Sequence, residues 1–301
     1  MNPEIPRLER GPFLALLDEA VSVARGVFRP IFLPVAVPPA LAAGLMALAQ
    51  ATAMRRLFHF SPGSSQPEIG GFLVGMGLTY AMLFLFTMVR LLAAAAMFAG
   101  AGWYLQGEPV SAGRVWRWAL RGRTVGTILL VGLFVGIGFM FCGLPGIYLA
   151  VIYAVAVPVL LWENPRASRA PGRSRELIIH DNAKRLFSPG MGWVVMVWIT
   201  TVVLTWGVGM AVQLPLTIVQ QILTMRHIMG QAEQQAAANF QNIFPAWLVG
   251  AQVIVTALST LAQQLVALFS ASAFTLLYLR LRGRKEGTDL AAALDRLGAP
   301  A

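Results

Sequence analysis

Long apolar runs dominate the chain, and short clusters of arginine separate them. A helix needs about 20 mostly apolar residues to cross the roughly 30 Å hydrocarbon core of a bilayer. Runs of this length predict six transmembrane helices, at residues 31–53, 71–100, 124–142, 145–162, 191–218 and 245–279, followed by a tail at 280–301. We therefore expect an all-α, polytopic helical bundle that forms one integral membrane domain over residues 1–301.

The third and fourth spans lie in one apolar stretch, residues 124–162. At 1.5 Å per residue this stretch is about twice as long as one crossing requires, so it must fold back. Residues 143–146 at its middle read Gly-Leu-Pro-Gly, and Pro-Gly pairs interrupt helices. We predict a tight hairpin there, with Cys142 near the outer surface.

The distribution of charge supports this topology. The chain is 57% hydrophobic and only 12% charged, yet its net charge is +10. Nineteen of its 23 cations fall in the N-terminal segment, in segments 114–123 and 166–185, and in the tail, against three in the alternate loops. Because loops rich in Lys and Arg stay cytoplasmic, we expect a multi-pass protein of a bacterial inner membrane with both termini cytoplasmic.

Some connections show the apolar spacing of amphipathic helices, which lie in the membrane interface. Segment 13–28 places Leu14, Leu17, Val21, Ala24 and Phe28 on one face. Segments 114–121 and 173–187 show similar patterns, the latter with Asp181 and Arg185 at a favourable spacing. We predict interfacial helices in all three segments.

Catalytic chemistry is not indicated. The predicted spans hold no Asp or Glu away from their ends, and His59, His180 and His227 fall in different loops. One cysteine allows neither an intrachain disulfide nor a cysteine metal cluster. The arginines lie between apolar runs, which indicates a membrane and not a nucleic acid as their partner. We expect no enzyme activity, no cofactor and no metal.

Two charged residues next to or within the spans are candidate functional residues. Arg90 lies well inside an apolar run, where an ionisable group suggests a contact with an anion or a lipid headgroup. The interpretation favoured by the sequence is that the second helix continues towards Tyr104 and Arg90 snorkels to the interface. Glu163 ends the fourth span, and we expect it to pair with a nearby arginine.

A polar stripe marks the sixth span at steps of 4, 3, 4 and 7 residues, which keeps its members on one helical face. Its members are Gln252, Thr256, Ser259, Gln263 and Ser270. Such a stripe lines a water-filled path or joins helices through hydrogen bonds, and joining is the favoured interpretation.

Residues 276–290 read LLYLRLRGRKEGTDL, and upstream stand Pro145-Gly146-Ile147, Pro158, Glu163, Arg173-Ser174 and Leu177. These residues resemble the bacterial glycerophosphoryl diester phosphodiesterase membrane-domain-like family, which typically ends in LLY-x-D-L-R-x-R-x-E-G-x-D-L. Arg280 departs from the family's usual Asp, which leaves any pairing by that acid in doubt. The resemblance implies a multi-helix membrane module. It implies no phosphodiesterase activity, because that belongs to a domain fused in some members, and the spans leave no room for one.

The tail is expected to dock as a helix. Arg282 and Arg284 adjoin anionic lipid, whereas Glu286 and Asp289 would be repelled by it and need a protein partner. We therefore predict a non-enzymatic membrane subunit or scaffold that contacts membrane lipid and a protein partner or a second copy at its cytoplasmic face. A transporter or channel for a small solute, built on Arg90 and the polar stripe, is the alternative.

Overall fold

The computed structural model of the chain describes residues 13–57, 69–141, 143–179, 189–232 and 246–287. Within these ranges the chain forms α-helices joined by short turns, and no strand. In chain order they are α1 Phe13–Leu57, α2 Ile69–Leu105, α3 Ala112–Ala119, α4 Gly122–Met140, α5 Leu144–Ile152, α6 Ala156–Glu163, α7 Ala170–Ile178, α8 Pro189–Ala232 and α9 Ala246–Glu286.

Six segments of the described residues are long and apolar enough to cross a membrane. They are supplied by α1, α2, α4, α5 together with α6, α8 and α9, in the order that the apolar runs predict. The protein is thus a multi-pass α-helical membrane protein.

The first helix differs from its prediction. Residues 13–28 are not a separate interfacial helix, because α1 continues unbroken from Phe13 to Leu57. Its buried face is the set Leu16, Ala20, Val23 and Val27, while the predicted apolar face is largely exposed, with Leu14 at 69%. Both faces are apolar, so the amphipathic pattern did not identify the one that packs.

Four prolines lie inside α1, at positions 30, 34, 38 and 39. A proline lacks the N–H that would bond the carbonyl four residues earlier. Pro38 therefore leaves the Pro34 carbonyl without its helical donor, and the Trp116 indole N–H donates to that oxygen at 3.1 Å. Through Trp116, α3 supplies a hydrogen bond that α1 cannot make for itself.

The predicted hairpin is present between α4 and α5. Gly143 has φ +78°, a conformation that favours glycine, and it precedes the first residue of α5. The two arms touch through glycines, since a Cβ on Gly138 would lie 2.8 Å from the backbone of Gly146. The predicted position of Cys142 near the outer surface lies outside the described residues.

The other two predicted interfacial helices are partly confirmed. Helix α3 forms over Ala112–Ala119 and buries Val115, Trp118 and Ala119, although Leu120, which also lies in the predicted segment 114–121, is exposed. Helix α7 begins before the predicted segment, at Ala170, and ends at Ile178. The predicted pair of Asp181 and Arg185 falls outside the described residues.

Two long helices extend past their predicted ends. Helix α8 runs to Ala232, through much of the segment 219–244 that the hydropathy pattern assigns to an outer connection. Helix α9 runs to Glu286, so the first part of the tail is a continuation of the sixth span and not a separate helix. Gly287 follows with φ +61°, the left-handed conformation that commonly ends helices.

The chain divides into two compact units. Unit 1 consists of Met1–Val35, Leu92–Leu204 and Val266–Ala301, and unit 2 of Ala36–Leu91 and Thr205–Leu265. Unit 1 contains the short helices α3 to α7 and parts of the four long ones. The described residues of unit 2 belong to parts of α1, α2, α8 and α9.

Candidate functional site

A polar cluster in unit 1 is centred on Glu163, the last residue of α6. Arg173 of α7 donates from Nε to Glu163 Oε2 at 3.0 Å. Tyr278 of α9 donates its hydroxyl to Glu163 Oε1 at 3.0 Å, and Arg282, one turn later, donates to the Tyr278 oxygen at 3.4 Å. We call these four residues the Glu163 cluster, and they join the consecutive helices α6 and α7 to α9, whose Tyr278 lies 115 residues after Glu163.

The Glu163 cluster is shielded from solvent but not fully buried. Tyr278 is 0% exposed, whereas the side chains of Glu163 and Arg173 are 19% and 28% exposed. Both carboxylate oxygens accept a hydrogen bond, and a guanidinium supplies the opposite charge. A partly buried carboxylate bonded in this way is not left as an unpaired charge. The expected pairing of Glu163 with an arginine is confirmed.

The chain reverses immediately after Glu163. Asn164 has φ 46°, and asparagine is among the few residues that readily adopt the left-handed region. Its side-chain oxygen accepts a hydrogen bond from Arg123 at 3.2 Å, which ties the start of α4 to this turn. On α7, the Ser174 hydroxyl donates to the Ile152 carbonyl at 2.8 Å, satisfying an acceptor left open where α5 ends.

Two further contacts hold the end of α9. Arg280 donates to Glu19 of α1 at 3.2 Å. The Lys285 ammonium donates to the Glu176 carbonyl of α7 at 2.6 Å. The sequence predicted that Glu286 and Asp289 dock the tail. The described contacts are instead made by two cations at the start of the tail, Arg280 and Lys285. The side chain of Glu286 and all of Asp289 lie outside what the structure describes.

The solvent-exposed part of unit 1 is strongly basic. Among the residues described, its exposed acids are Asp18, Glu108 and Glu176, and the latter two pair with arginines. Its exposed arginines are three times as numerous and come from α1, α3, α4, α7, α9 and their connections. We call this set the arginine face: Arg25, Arg29, Arg117, Arg121, Arg123, Arg166, Arg169, Arg175 and Arg284.

The predicted polar stripe of α9 does not have one environment. Gln252 is exposed and Ser259 is buried, with no hydrogen-bond partner for its hydroxyl. Ser270 is partly buried and lies 3.3 Å from the Thr201 hydroxyl of α8, a contact that joins two helices. Thr256 donates to the Gln252 carbonyl of its own helix, and Gln263 is partly buried.

Arg90 lies on the exposed surface of α2, within unit 2. In the part of the chain that the structure describes, no acidic side chain pairs with it. Arg90 therefore takes no part in the Glu163 cluster, although the sequence analysis selected Arg90 and Glu163 alike as charged residues next to or within a span.

Several residues of these contacts were not selected as site candidates. Arg173 and Tyr278 form the Glu163 cluster, and the signal that could have found them was their place in the family-like motifs. Gln264 of α9 is 1% exposed with an unpartnered side-chain oxygen, but it lies one position off the stripe. Helical period alone could not show that it points inward.

Comparisons with protein families, with curated proteins and with solved structures find no match for this chain. The motif residues Glu163, Arg173, Ser174 and Tyr278 nevertheless meet in one region of unit 1. Their contacts join the ends of α5, α6 and α7 to α9 within unit 1.

Proposed function

We propose that the protein is a non-enzymatic membrane subunit or scaffold whose arginine face meets anionic lipid headgroups and a partner protein on the cytoplasmic side of a bacterial inner membrane. The observation that carries this proposal is the excess of exposed arginines over exposed acids in unit 1. Each such cation near an anionic membrane surface contributes about 1 kcal/mol of binding.

The acids of unit 1 support a structural role. Glu163, Glu19, Glu108 and Glu176 each pair with an arginine, so their charge is engaged in holding helices or turns. General acid–base catalysis instead requires a titratable group within reach of a substrate proton. The resemblance to a membrane module of the phosphodiesterase-associated family points the same way.

The proposed orientation is tested by labelling single cysteines in a Cys142→Ala background. Ser168→Cys, next to Arg169 on the arginine face, is expected to react with an impermeant maleimide only after the cells are lysed. Ser65→Cys in the opposite loop is expected to react in intact cells. The reverse pattern would overturn the orientation.

Lipid binding is tested on the purified protein in a neutral detergent. Phosphatidylglycerol is expected to raise the melting temperature more than phosphatidylcholine does. A variant with Arg166, Arg169 and Arg175 changed to Gln should lose most of that difference, because all three side chains are exposed in unit 1. Arg226→Gln, an exposed arginine of unit 2, is the matched control and should keep it. Equal responses of the wild type to both lipids would refute lipid binding.

The partner is tested by crosslinking from Ser168→Cys in native membranes, followed by identification of the adduct. A single dominant protein adduct that disappears in the triple arginine variant supports a scaffold. Adducts that are unchanged in that variant would argue against the arginine face as the docking surface.

A transporter is the second candidate, and buried polar atoms of unit 2 favour it. Ser259 Oγ and Gln264 Oε1 are buried without a partner, and such groups are commonly satisfied by water. Ser259→Cys in the Cys142→Ala background would react rapidly with a small charged thiosulfonate if it lined a hydrated path. No reaction in the folded protein would exclude that path.

A further inference from the structure

Arg90 lies inside the segment of α2 that is apolar enough to cross a membrane, Leu73–Leu105, and its depth follows from its distance along this helix from the membrane boundary. Helix α4 has 19 residues and is about 28 Å long, which matches the roughly 30 Å hydrocarbon core with no excess. Arg123 at its start therefore marks one boundary of the hydrocarbon. Because Arg123 bonds Asn164, the end of α6 lies at this same boundary.

Helix α2 reaches that boundary near Gly102. A Cβ on Gly102 would collide with the Leu161 side chain, two residues before Glu163. Trp103 follows and stacks beneath the Arg114 guanidinium at 4.2 Å, as aromatic residues do at membrane interfaces.

Arg90 precedes Gly102 by twelve residues of unbroken helix, a rise of about 18 Å. Tilting α2 by 40° would shorten this to a depth of about 14 Å, still close to the bilayer middle. The six bonds from Cα to the terminal guanidinium nitrogens reach about 7 Å, so snorkelling covers half of the remaining distance at best.

Tyr80, Leu83, Thr87 and Arg90 follow one another at steps of 3, 4 and 3 residues, which places them on one side of α2. All four are exposed, with Tyr80 at 61%. The Thr87 hydroxyl donates to the Leu83 carbonyl of its own helix at 2.8 Å, and Tyr80 is far enough along the helix to reach the opposite interface. Lipid tails offer no hydrogen-bond acceptor for the Arg90 guanidinium, so this face is poorly suited to lipid alone.

The apolar segments of the chain supply no acid to pair with Arg90. Residues 32–53, 73–105, 122–140, 144–162, 190–223 and 249–279 contain neither Asp nor Glu. Of the described acids, Asp18, Glu19 and Glu163 lie near helix ends in unit 1. The apolar segments of a second copy therefore offer Arg90 no carboxylate.

We propose that the Tyr80–Arg90 face of α2 docks a transmembrane helix of a different protein, through an Asp or Glu of that helix near the bilayer middle. An intramembrane arginine is costly unless it is paired, and an ion pair between the two helices removes that cost for both. This contact is separate from the arginine face, so the two proposals stand or fall independently.

The docking is tested with a designed peptide in neutral phosphatidylcholine vesicles. The probe is a dye-labelled Leu/Ala helix of about 24 residues with one central Asp, and matched peptides carry Asn or Leu instead. Energy transfer to a dye on Ser168→Cys, in the Cys142→Ala background, reports association. The Asp peptide should bind the protein roughly tenfold more tightly than it binds Arg90→Leu. The Asn and Leu peptides should not distinguish the two proteins.

Three controls keep the result specific. Arg226→Leu should bind the Asp peptide like the parent, and so should the Arg166, Arg169 and Arg175 triple variant. Equal binding of the Asp peptide to parent and Arg90→Leu would overturn the proposal. So would loss of the Asp preference on adding phosphatidylglycerol, because that would assign Arg90 to a lipid phosphate.

The depth of this face is tested without any partner. A fluorophore on Thr87→Cys, one turn from Arg90, should be quenched more by lipids brominated near the chain ends than by lipids brominated near the headgroup. Stronger quenching from the headgroup side would restore the snorkelling interpretation and refute the docking site.

Discussion

Units 1 and 2 are built from the same long helices but are packed in different ways. In unit 1, glycines sit in close contact with neighbouring helices, Gly26 against Tyr104 and Gly100 against Ile31, and ion pairs join the helix ends. In unit 2, the buried hydrophobic residues among those described are all alanines, at positions 36, 40, 43, 47 and 49. Unit 1 is thus held by large buried side chains and ion pairs, whereas unit 2 packs through small residues.

The sharpest test of this comparison is removal of the carboxylate in the Glu163 cluster. Glu163→Ala removes the less exposed of the two carboxylates that pair with Arg173 and takes the acceptor from Tyr278, so we expect a loss of about 2 to 4 kcal/mol in unfolding free energy. Thermal unfolding in detergent measures it.

Glu176→Ala is the matched control for Glu163→Ala, because Glu176 also pairs with Arg173 but its side chain is 62% exposed. Glu176→Ala should lower the unfolding free energy by no more than about 0.5 kcal/mol. Glu163→Gln keeps an acceptor for Tyr278 and should fall between the two. Equal melting temperatures for Glu163→Ala and the wild type would show that the Glu163 cluster does not stabilise unit 1.

The second test compares glycines. Gly138→Ala places a methyl group 2.8 Å from the Gly146 backbone, and backbone cannot swing away as a side chain can. We expect a loss of about 1 to 3 kcal/mol, measured by thermal unfolding. The controls are Gly136→Ala, two residues earlier on α4, and Gly77→Ala in unit 2. A methyl group at either position would meet no neighbouring group within 4 Å. Both should be neutral or slightly stabilising, because alanine favours the helix. Equal losses at all three glycines would mean that helix propensity, and not the close approach, sets the cost.

These contrasts also show how far the sequence could lead. The six spans follow from run length and hydropathy, because lipid imposes both directly on the chain. The hairpin follows from Gly143 and the Pro-Gly pair. The end of α8 could not be found this way, since residues beyond 218 are polar enough to leave the membrane and still suited to a helix.

The contacts between helices were harder to predict. Segment 13–28 is apolar on more than one face, and only the neighbouring helices decide that Leu16 and Val23 pack while Leu14 is exposed. Glu163 has several arginines nearby in sequence, yet its second partner, Tyr278, lies 115 residues away. A helical period reports which residues share a face, but the face that packs depends on the tertiary fold.

The third test concerns the proline-rich part of α1. Trp116→Phe removes the N–H that bonds the Pro34 carbonyl, and we expect a loss of about 1 kcal/mol in unfolding free energy. Pro38→Ala would restore the N–H that normally serves this carbonyl within the helix. In that background Trp116→Phe should therefore cost less. The same cost in both backgrounds would show that the indole acts through packing and not through this hydrogen bond.

The smallest expected effect separates the two interpretations of the polar stripe. Thr201 and Ser270 lie 3.3 Å apart in unit 1, and hydrogen bonds between membrane helices contribute about 0.6 kcal/mol on average. A double-mutant cycle of Thr201→Val and Ser270→Ala, followed by thermal unfolding, should give a coupling of that size. Thr200→Val is the control, because Thr200 and Thr201 each bond the carbonyl four residues earlier in α8, but the described contact with Ser270 is made by Thr201, so the cycle of Thr200→Val with Ser270→Ala should give no coupling. If Thr201 and Ser270 are uncoupled as well, this end of the stripe does not join helices, and its hydroxyls are better explained by hydration.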